Sequence, residues 1–299
     1  MRPPANLSRA LRIACAACLL MFPAAAQTLE GAIDMHMHSD PDGTPRKIDA
    51  IDLARLAKSK GMRAIVLKNH YEPTASLAYI VRKVVPGIEV FGGITMDLTN
   101  GGVNPAAVEW MTKVKGGYGR VVWMPTFDSE YQATQSKQNR PFARVSKDGK
   151  LLPEVVRVIE IVAKNNLVLE TGHVSPAEVL LIVREAKRQG VRNILVTHAT
   201  NEYPGLSIDQ VKEVAQLGAY SEFVWSGAQG AGLANWIKAI RAAGPAWSVI
   251  SSDLGQPNNP LHTDGLLALY KTLKEQGFSD AEVARMSKIN PAKLLGLAP

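Results

Sequence analysis

Ile33-Asp34-Met35-His36-Met37-His38 is the stretch on which the reading of this sequence turns. Apolar and polar residues alternate along it, as in a strand whose side chains alternate faces with period two. His36 and His38 then project to one side, with Asp34 expected on the same face below them as support. Short β-rich runs of the same kind recur outward from this one. They are Gly31–His38, Arg63–His70, Glu89–Met96, Arg120–Phe127, Leu167–His173, Asn193–His198, Ala219–Trp225 and Ser248–Asp253. Segments of helical period separate them, with recognisable ends. Gly61 closes the first, Asn104-Pro105 opens another, and Ser175–Glu178 and Ser207–Gln210 read as capping boxes, with Gly190 and Gly218 after those helices. Eight strands alternating with about eight helices imply parallel pairing through right-handed crossovers. The fold class expected for 299 residues is therefore α/β, a single-domain (β/α)8 TIM barrel. An open doubly wound sheet is the alternative, weakened because no Gly-x-Gly-x-x-Gly follows any strand.

The first 26 residues read as a secretory signal peptide. Arg2, Arg9 and Arg12 form a basic start, Ile13–Phe22 is a short apolar run, and Pro23-Ala24-Ala25-Ala26 supplies small residues before a cleavage point at Gln27. The run is shorter than the ~20 residues a membrane span needs, so a periplasmic or secreted protein free of the membrane after cleavage is expected. Both cysteines, Cys15 and Cys18, lie in this leader. It carries three arginines and no acid, so its loss takes the formal charge from +7 to +4. That surplus, without a basic cluster or aromatic-basic stripe, argues against a nucleic-acid partner. Residues 128–153 form a long polar stretch after the fourth strand, without strand or helical period, and are a candidate lid. Ser279–Leu297 reads as one or two short helices packing on the barrel.

The placement of the histidines carries the functional reading. Five of the six (His36, His38, His70, His173 and His198) fall at the C-terminal ends of expected strands, and His262 falls in the loop after the last strand. The C-terminal face of a barrel is where its chemistry resides. Two imidazoles one residue apart on a strand can bind one metal, and His/carboxylate sets with an open position suit Zn²⁺ or a similar divalent ion. With His173, His198 and Asp253 at other strand ends, the sequence resembles the metal-dependent amidohydrolase superfamily over essentially the whole chain after the leader. The resemblance implies that His36, His38, His173 and His198 are metal ligands. It implies that Asp253 is both a ligand and the catalytic general base. A finer likeness is to an uncharacterised amidohydrolase-like branch with Lys-Asn-His after strand two (Lys68-Asn69-His70) and Asn-Pro-Ala-Lys-Leu-Leu near the C-terminus (Asn290–Leu295).

One departure from that superfamily is informative. The carboxylated Lys or Glu that binuclear members carry at the end of strand four is missing from Trp123–Phe127. Lys68 shares the parity of Ala64, Val66 and His70 and should face the interior, where an ammonium must lose its charge or find an acid. Carboxylation by CO₂ would make it a metal-bridging carbamate. Pairing with Glu72, Asp97 or Asp253, or contact with a substrate anion, are the alternatives. Without the carbamate, a mononuclear site of His36, His38, His173 and Asp253 suffices, with His198 steering the substrate. His70, Asp97, Asn100, Gln256 and His262 are placed to contact substrate, Trp123 and Trp225 to wall the pocket, and Glu170 has an ambiguous direction beside Gly172.

The expected activity is metal-dependent hydrolysis of an ester, lactone or amide of a small molecule, with one or two divalent ions. Phosphoester or phosphotriester hydrolysis and metal-dependent decarboxylation are the alternatives. A homo-oligomer is left open.

Overall fold

A computed structural model describes Met1 and residues 28–298, so the rest of the leader, with both cysteines, lies outside the described residues. Eight parallel strands form one sheet in sequence order: β1 (Ile33–Met37), β2 (Ala64–Leu67), β3 (Glu89–Thr95), β4 (Gly119–Trp123), β5 (Val168–Glu170), β6 (Asn193–Val196), β7 (Tyr220–Phe223) and β8 (Ser248–Ile250). The sheet closes on itself. Just beyond β8, Leu254 pairs in parallel with Met37, the Asp253 N–H donates to His36 O (2.9 Å), and the His38 N–H donates to Leu254 O (2.9 Å). The expected barrel is the observed architecture.

Helices cover the outside between the strands: α1 (Ala50–Ser59), α2 (Ala75–Val84), α3 (Pro105–Thr112), α4 (Glu130–Gln135), α5 (Pro153–Lys164), α6 (Pro176–Arg188), α7 (Ile208–Gln216), α8 (Leu233–Ala243) and α9 (His262–Glu275). Their starts follow the local chemistry. Asp49 accepts from two N–H groups of α1, and both capping boxes form, Ser175 with Glu178 and Ser207 with Gln210. The main core lies between strands and helices, while a second core fills the barrel. Ile33, Met35, Ala64, Val66, Val121 and Trp123 belong to that interior cluster. Ala292, Leu294 and Leu295 of the last helix, α11 (Asn290–Leu295), plug its N-terminal end after the short α10 (Asp280–Ala284). Asn290 ties the plug down by donating to Pro245 O (2.8 Å) and Ser248 O (2.7 Å).

Three local expectations are corrected. The β1–β2 register runs Asp34↔Ile65 and then Met37↔Leu67, so β1 carries one extra residue. This bulge reverses side-chain parity: Ile33 and Met35 face the barrel below it, and the two histidines do so above it. Asp34 thus lies off the face of His36 and His38, and its carboxylate accepts from the His36 N–H (3.0 Å) and the Ser252 N–H (3.1 Å). Second, residues 128–153 are not structureless. Ser129 caps α4 by accepting from the Gln132 N–H, and Ser146–Lys147 pairs antiparallel with Lys150–Leu151 around Asp148-Gly149. Third, His262 is the first residue of α9 rather than a loop residue. Among the described residues no helix is long and apolar enough to cross a membrane.

Candidate metal centre

Each expected ligand leaves the barrel at the C-terminal end of its strand, and the strand ends bring them together. His36 and His38 present their Nε2 atoms to one oxygen, Asp253 Oδ1, at 3.2 and 3.1 Å. Across the mouth, His173 Nε2 and His198 Nε2 face each other at 3.1 Å. The His198 ring stacks 5.9 Å from that of His36, which joins the two pairs. Backbone conformation is part of this placement. His198 (φ 24°) and Asp253 (φ 51°) are both left-handed non-glycine residues, a state that costs about 1–3 kcal/mol and clusters at functional sites. Gly172 (φ 63°) turns the chain before His173, and a Cβ there would sit 2.3 Å from Met124 O.

Two residues absent from the sequence reading decide the ring tautomers. Glu222 Oε2 lies 3.1 Å from His36 Nδ1 and accepts the His198 N–H at 3.1 Å. A carboxylate can only accept, so His36 carries a proton on Nδ1, which leaves Nε2 as the ring atom turned to a metal. Gln132 Oε1, delivered by α4, sits 2.6 Å from His173 Nδ1 and sets the same tautomer there. Ser129 Oγ also donates to His173 O (2.8 Å), so residues 128–153 do fold against the site. The sequence held a signal for Glu222, since Tyr220-Ser221-Glu222-Phe223 puts an acid in an otherwise buried barrel strand. No comparable signal marks Gln132.

These contacts test whether the side chains fit a divalent ion. Among the described residues His36 Nε2, His38 Nδ1 and His198 Nδ1 are buried without a hydrogen-bond partner, and the His173 and His198 Nε2 atoms lie 3.1 Å apart. Four imidazoles and a carboxylate are a donor set that Zn²⁺ accepts. His36, His38 and Asp253 present ligand atoms within 4.8 Å of one another, and so do His36, Glu170 and Glu222. The residues fit.

Burial governs the charges. It pulls His38 and His173 well below the usual imidazole range and His198 down to about 4, so the rings are neutral and able to ligate at pH 7. Burial alone would raise Asp253, but the facing His36 and His38 rings hold it well below the ordinary carboxylate value. Lys68 is fully buried, its Nζ has no hydrogen-bond partner among the described residues and lies 5.9 Å over the Trp123 ring, and burial lowers it against the opposing pull of Asp253 and Glu170. Burial and neighbouring Glu222 drive Glu170 well up; its Oε2 accepts from Thr197 Oγ1 (3.0 Å).

The remaining candidates separate. Asp97 is fully buried and spends both oxygens on the chain, accepting from the Thr126 and Asp128 N–H groups (2.8 and 3.0 Å) and from Thr126 Oγ1. Asn100 donates to Thr95 O (3.0 Å). His262 is buried, with Nε2 donating to His38 O at 2.9 Å. These three brace the site rather than reach a substrate. Gln256 is half-buried and donates to Asp253 O (3.2 Å). Trp123 lies beneath the site, 6.4 Å from the His36 ring, and Trp225 packs on the outer core. A cavity of about 550 Å³ opens beside the histidines, lined by Phe127, Gln132, His173, His198, Glu202 and Tyr203 among others, with no lysine or arginine among the described residues of its wall.

The fold has solved counterparts. An organophosphorus hydrolase variant aligns over 90% of this chain and 93% of its own (TM-score 0.62, 15% identity). The organophosphorus hydrolase from Deinococcus radiodurans aligns over 91% and 94% (TM-score 0.60, 16% identity). A variant of a Deinococcus radiodurans PTE-like lactonase aligns over 91% and 97% (TM-score 0.60, 15% identity). At such identities the likeness is one of fold. No curated protein matches the sequence significantly. The pattern of a family of unknown function (DUF6282) matches residues 31–222, which run from just before the His36 pair through Glu222, and the chain belongs to that family.

Proposed function

We propose that the chain is a metal-dependent hydrolase acting on an uncharged ester or lactone of a small molecule. The observation that carries this reading is the single Asp253 oxygen 3.1–3.2 Å from both His36 and His38 at the barrel mouth. The likeness of fold to a lactonase and to organophosphorus hydrolases agrees with it. His36, His38, His173, His198 and Asp253 would hold the ion, with Zn²⁺ the best match to the donors. A divalent ion there supplies polarisation of the carbonyl oxygen and acidification of water. Asp253, ionised at neutral pH, takes the proton of the attacking water on a carboxylate oxygen and returns it to the leaving alkoxide. Glu222 and Gln132 hold the His36 and His173 rings in the ligating tautomer. The cavity wall, which carries Glu202 and no lysine or arginine among the described residues, disfavours an anion such as a phosphomonoester.

Lys68 is the residue for a second ion. Carboxylation of its unpartnered Nζ would place an anion among the ligands, whereas an ammonium there would meet charge developing on the substrate. The test of the reading is pH-stat hydrolysis of γ-butyrolactone, phenyl acetate and a simple amide by zinc-loaded protein. Turnover of the lactone or ester that falls at least about 10²-fold in Asp253→Asn is expected. No turnover of any of the three, or equal turnover in Asp253→Asn, would overturn it.

A further inference from the structure

His70 stands outside the ligand set yet completes its geometry. The ring lies 4.9 Å from that of His38 and 6.0 Å from that of His173, between the two halves of the metal centre. It is clamped flat: Phe127 stacks at 3.8 Å, near-parallel at 23°, and His38 is inclined by the same 23°. Its Nδ1 lies 2.7 Å from Thr126 Oγ1, and Thr126 Oγ1 in turn contacts Asp97 Oδ2.

The protons along this chain can be placed one at a time. Burial raises Asp97, and against it Oδ1 takes two backbone N–H groups, from Thr126 and Asp128, and Oδ2 the Thr126 hydroxyl, contacts that favour the carboxylate. A carboxylate has no proton to give, so the single hydroxyl proton of Thr126 goes to Asp97 Oδ2. Thr126 Oγ1 can then only accept from His70. The His70 proton is therefore on Nδ1, and Nε2 is a bare acceptor. Among the described residues no hydrogen bond uses that Nε2, and His70 retains 3% exposure.

We infer that His70 is a substrate-orienting residue whose Nε2 accepts a hydrogen bond from a hydroxyl on the carbon next to the scissile carbonyl, making α-hydroxy lactones and esters the favoured substrates. This deepens the hydrolase reading and rests on it. The ring sits between the His38 and His173 sides of the centre, so a donor next to a carbonyl held between them would meet its Nε2. A neutral acceptor with a fixed tautomer selects a donor and leaves an analogue lacking one with an unsatisfied contact. Thr126 and Asp97 are positioning residues: they act through His70.

The test compares α-hydroxy-γ-butyrolactone with γ-butyrolactone on zinc-loaded protein and reads the ratio of their kcat/KM values. The parent ratio should exceed that of His70→Phe by at least about tenfold, the size of one hydrogen bond at the reacting centre. Thr126→Ser should keep the parent ratio, and Thr126→Val should lose most of it. An independent readout is the ¹⁵N imidazole spectrum of metal-free protein, with the His70 signals assigned by their loss in His70→Phe. A neutral ring protonated on Nδ1 is expected, shifting toward a tautomer mixture in Thr126→Val. Equal ratios in parent and His70→Phe would overturn the His70 assignment while leaving the hydrolase standing, as would an Nε2-protonated ring in the parent. Turnover of neither lactone, with none of phenyl acetate or the amide, would remove the hydrolase reading and this substrate assignment with it; turnover of phenyl acetate but of neither lactone would remove this assignment alone.

Discussion

Replacing Glu222 by glutamine probes the link between the buried barrel acid and the metal centre. Glu222 Oε2 accepts from His36 Nδ1 and from the His198 N–H, each at 3.1 Å. Glutamine is isosteric and can still offer an oxygen, so the rings should stay in place while the negative charge behind His36 disappears. Losing such an outer carboxylate typically weakens metal binding 10–100-fold, which is about 1.4–2.7 kcal/mol at 1.36 kcal/mol per decade. The fold should be less affected. Burial opposes the charged form of Glu222, but the His36 imidazole and the His198 N–H outweigh it and hold the carboxyl below its ordinary value, so the metal-free protein should lose some stability, less than the loss in metal affinity. Chelator-competition titration with Zn²⁺ measures the first quantity, and denaturant unfolding of metal-free protein the second. Glu213→Gln, which removes an exposed partner of Arg184, is the control and should change both by less than about 0.5 kcal/mol. Zinc affinity in Glu222→Gln within twofold of the parent would refute the reasoning. A metal-free destabilisation as large as the loss in binding would instead make Glu222 a residue of the fold.

Further outcomes follow from other buried groups. Burial raises Asp34 to about 7, so the native state binds its proton more tightly than the unfolded chain does, and stability falls as pH rises from about 4 to 7. The loss reaches about 4 kcal/mol at most, from 1.36 kcal/mol per pH unit over that rise. Asp34→Asn should therefore gain on the parent between pH 4.5 and 8 in urea unfolding; a pH-independent difference would contradict this. Gly172→Ala combines φ 63° with a Cβ 2.3 Å from Met124 O and should cost more than about 2 kcal/mol in the same assay; a parent-like midpoint would show that the turn can relax. The leader reading predicts an exported chain whose intact mass begins at Gln27, and a periplasmic chain retaining Met1 would contradict it.

The barrel was legible because its signals are local and repeated. Most strands are short apolar runs, several helix starts carry a cap, as at Asp49, Asn104, Ser175 and Ser207, and parallel pairing follows from the alternation. Lys68 and His70 face the site because β2 is regular, and parity predicts that correctly. Parity fails for Asp34, because the bulge in β1 is fixed by pairing with β2 and by closure onto Leu254, neither of which is local. The same limit applies to Asp97 and His262. Their positions near strand ends are readable, but the backbone groups that consume their polar atoms come from residues 29 or more positions away. Gln132 reaches His173 only through a short helix nucleated by Ser129 in a segment with little periodicity. Glu222 was readable as an acid inside an apolar strand, but its partner His36 lies 186 residues away.

The most direct test of the account is the metal content of protein purified without chelator in the presence of bicarbonate. Elemental analysis should find one to two equivalents of a divalent ion, lost when His36 and His38 are both replaced by alanine in a chain that still folds. Two equivalents falling toward one in Lys68→Ala would support the carboxylated lysine, and one equivalent unaffected by that change would give Lys68 to the substrate. Protein that binds no divalent ion, as isolated or after incubation with Zn²⁺, would contradict the central claim.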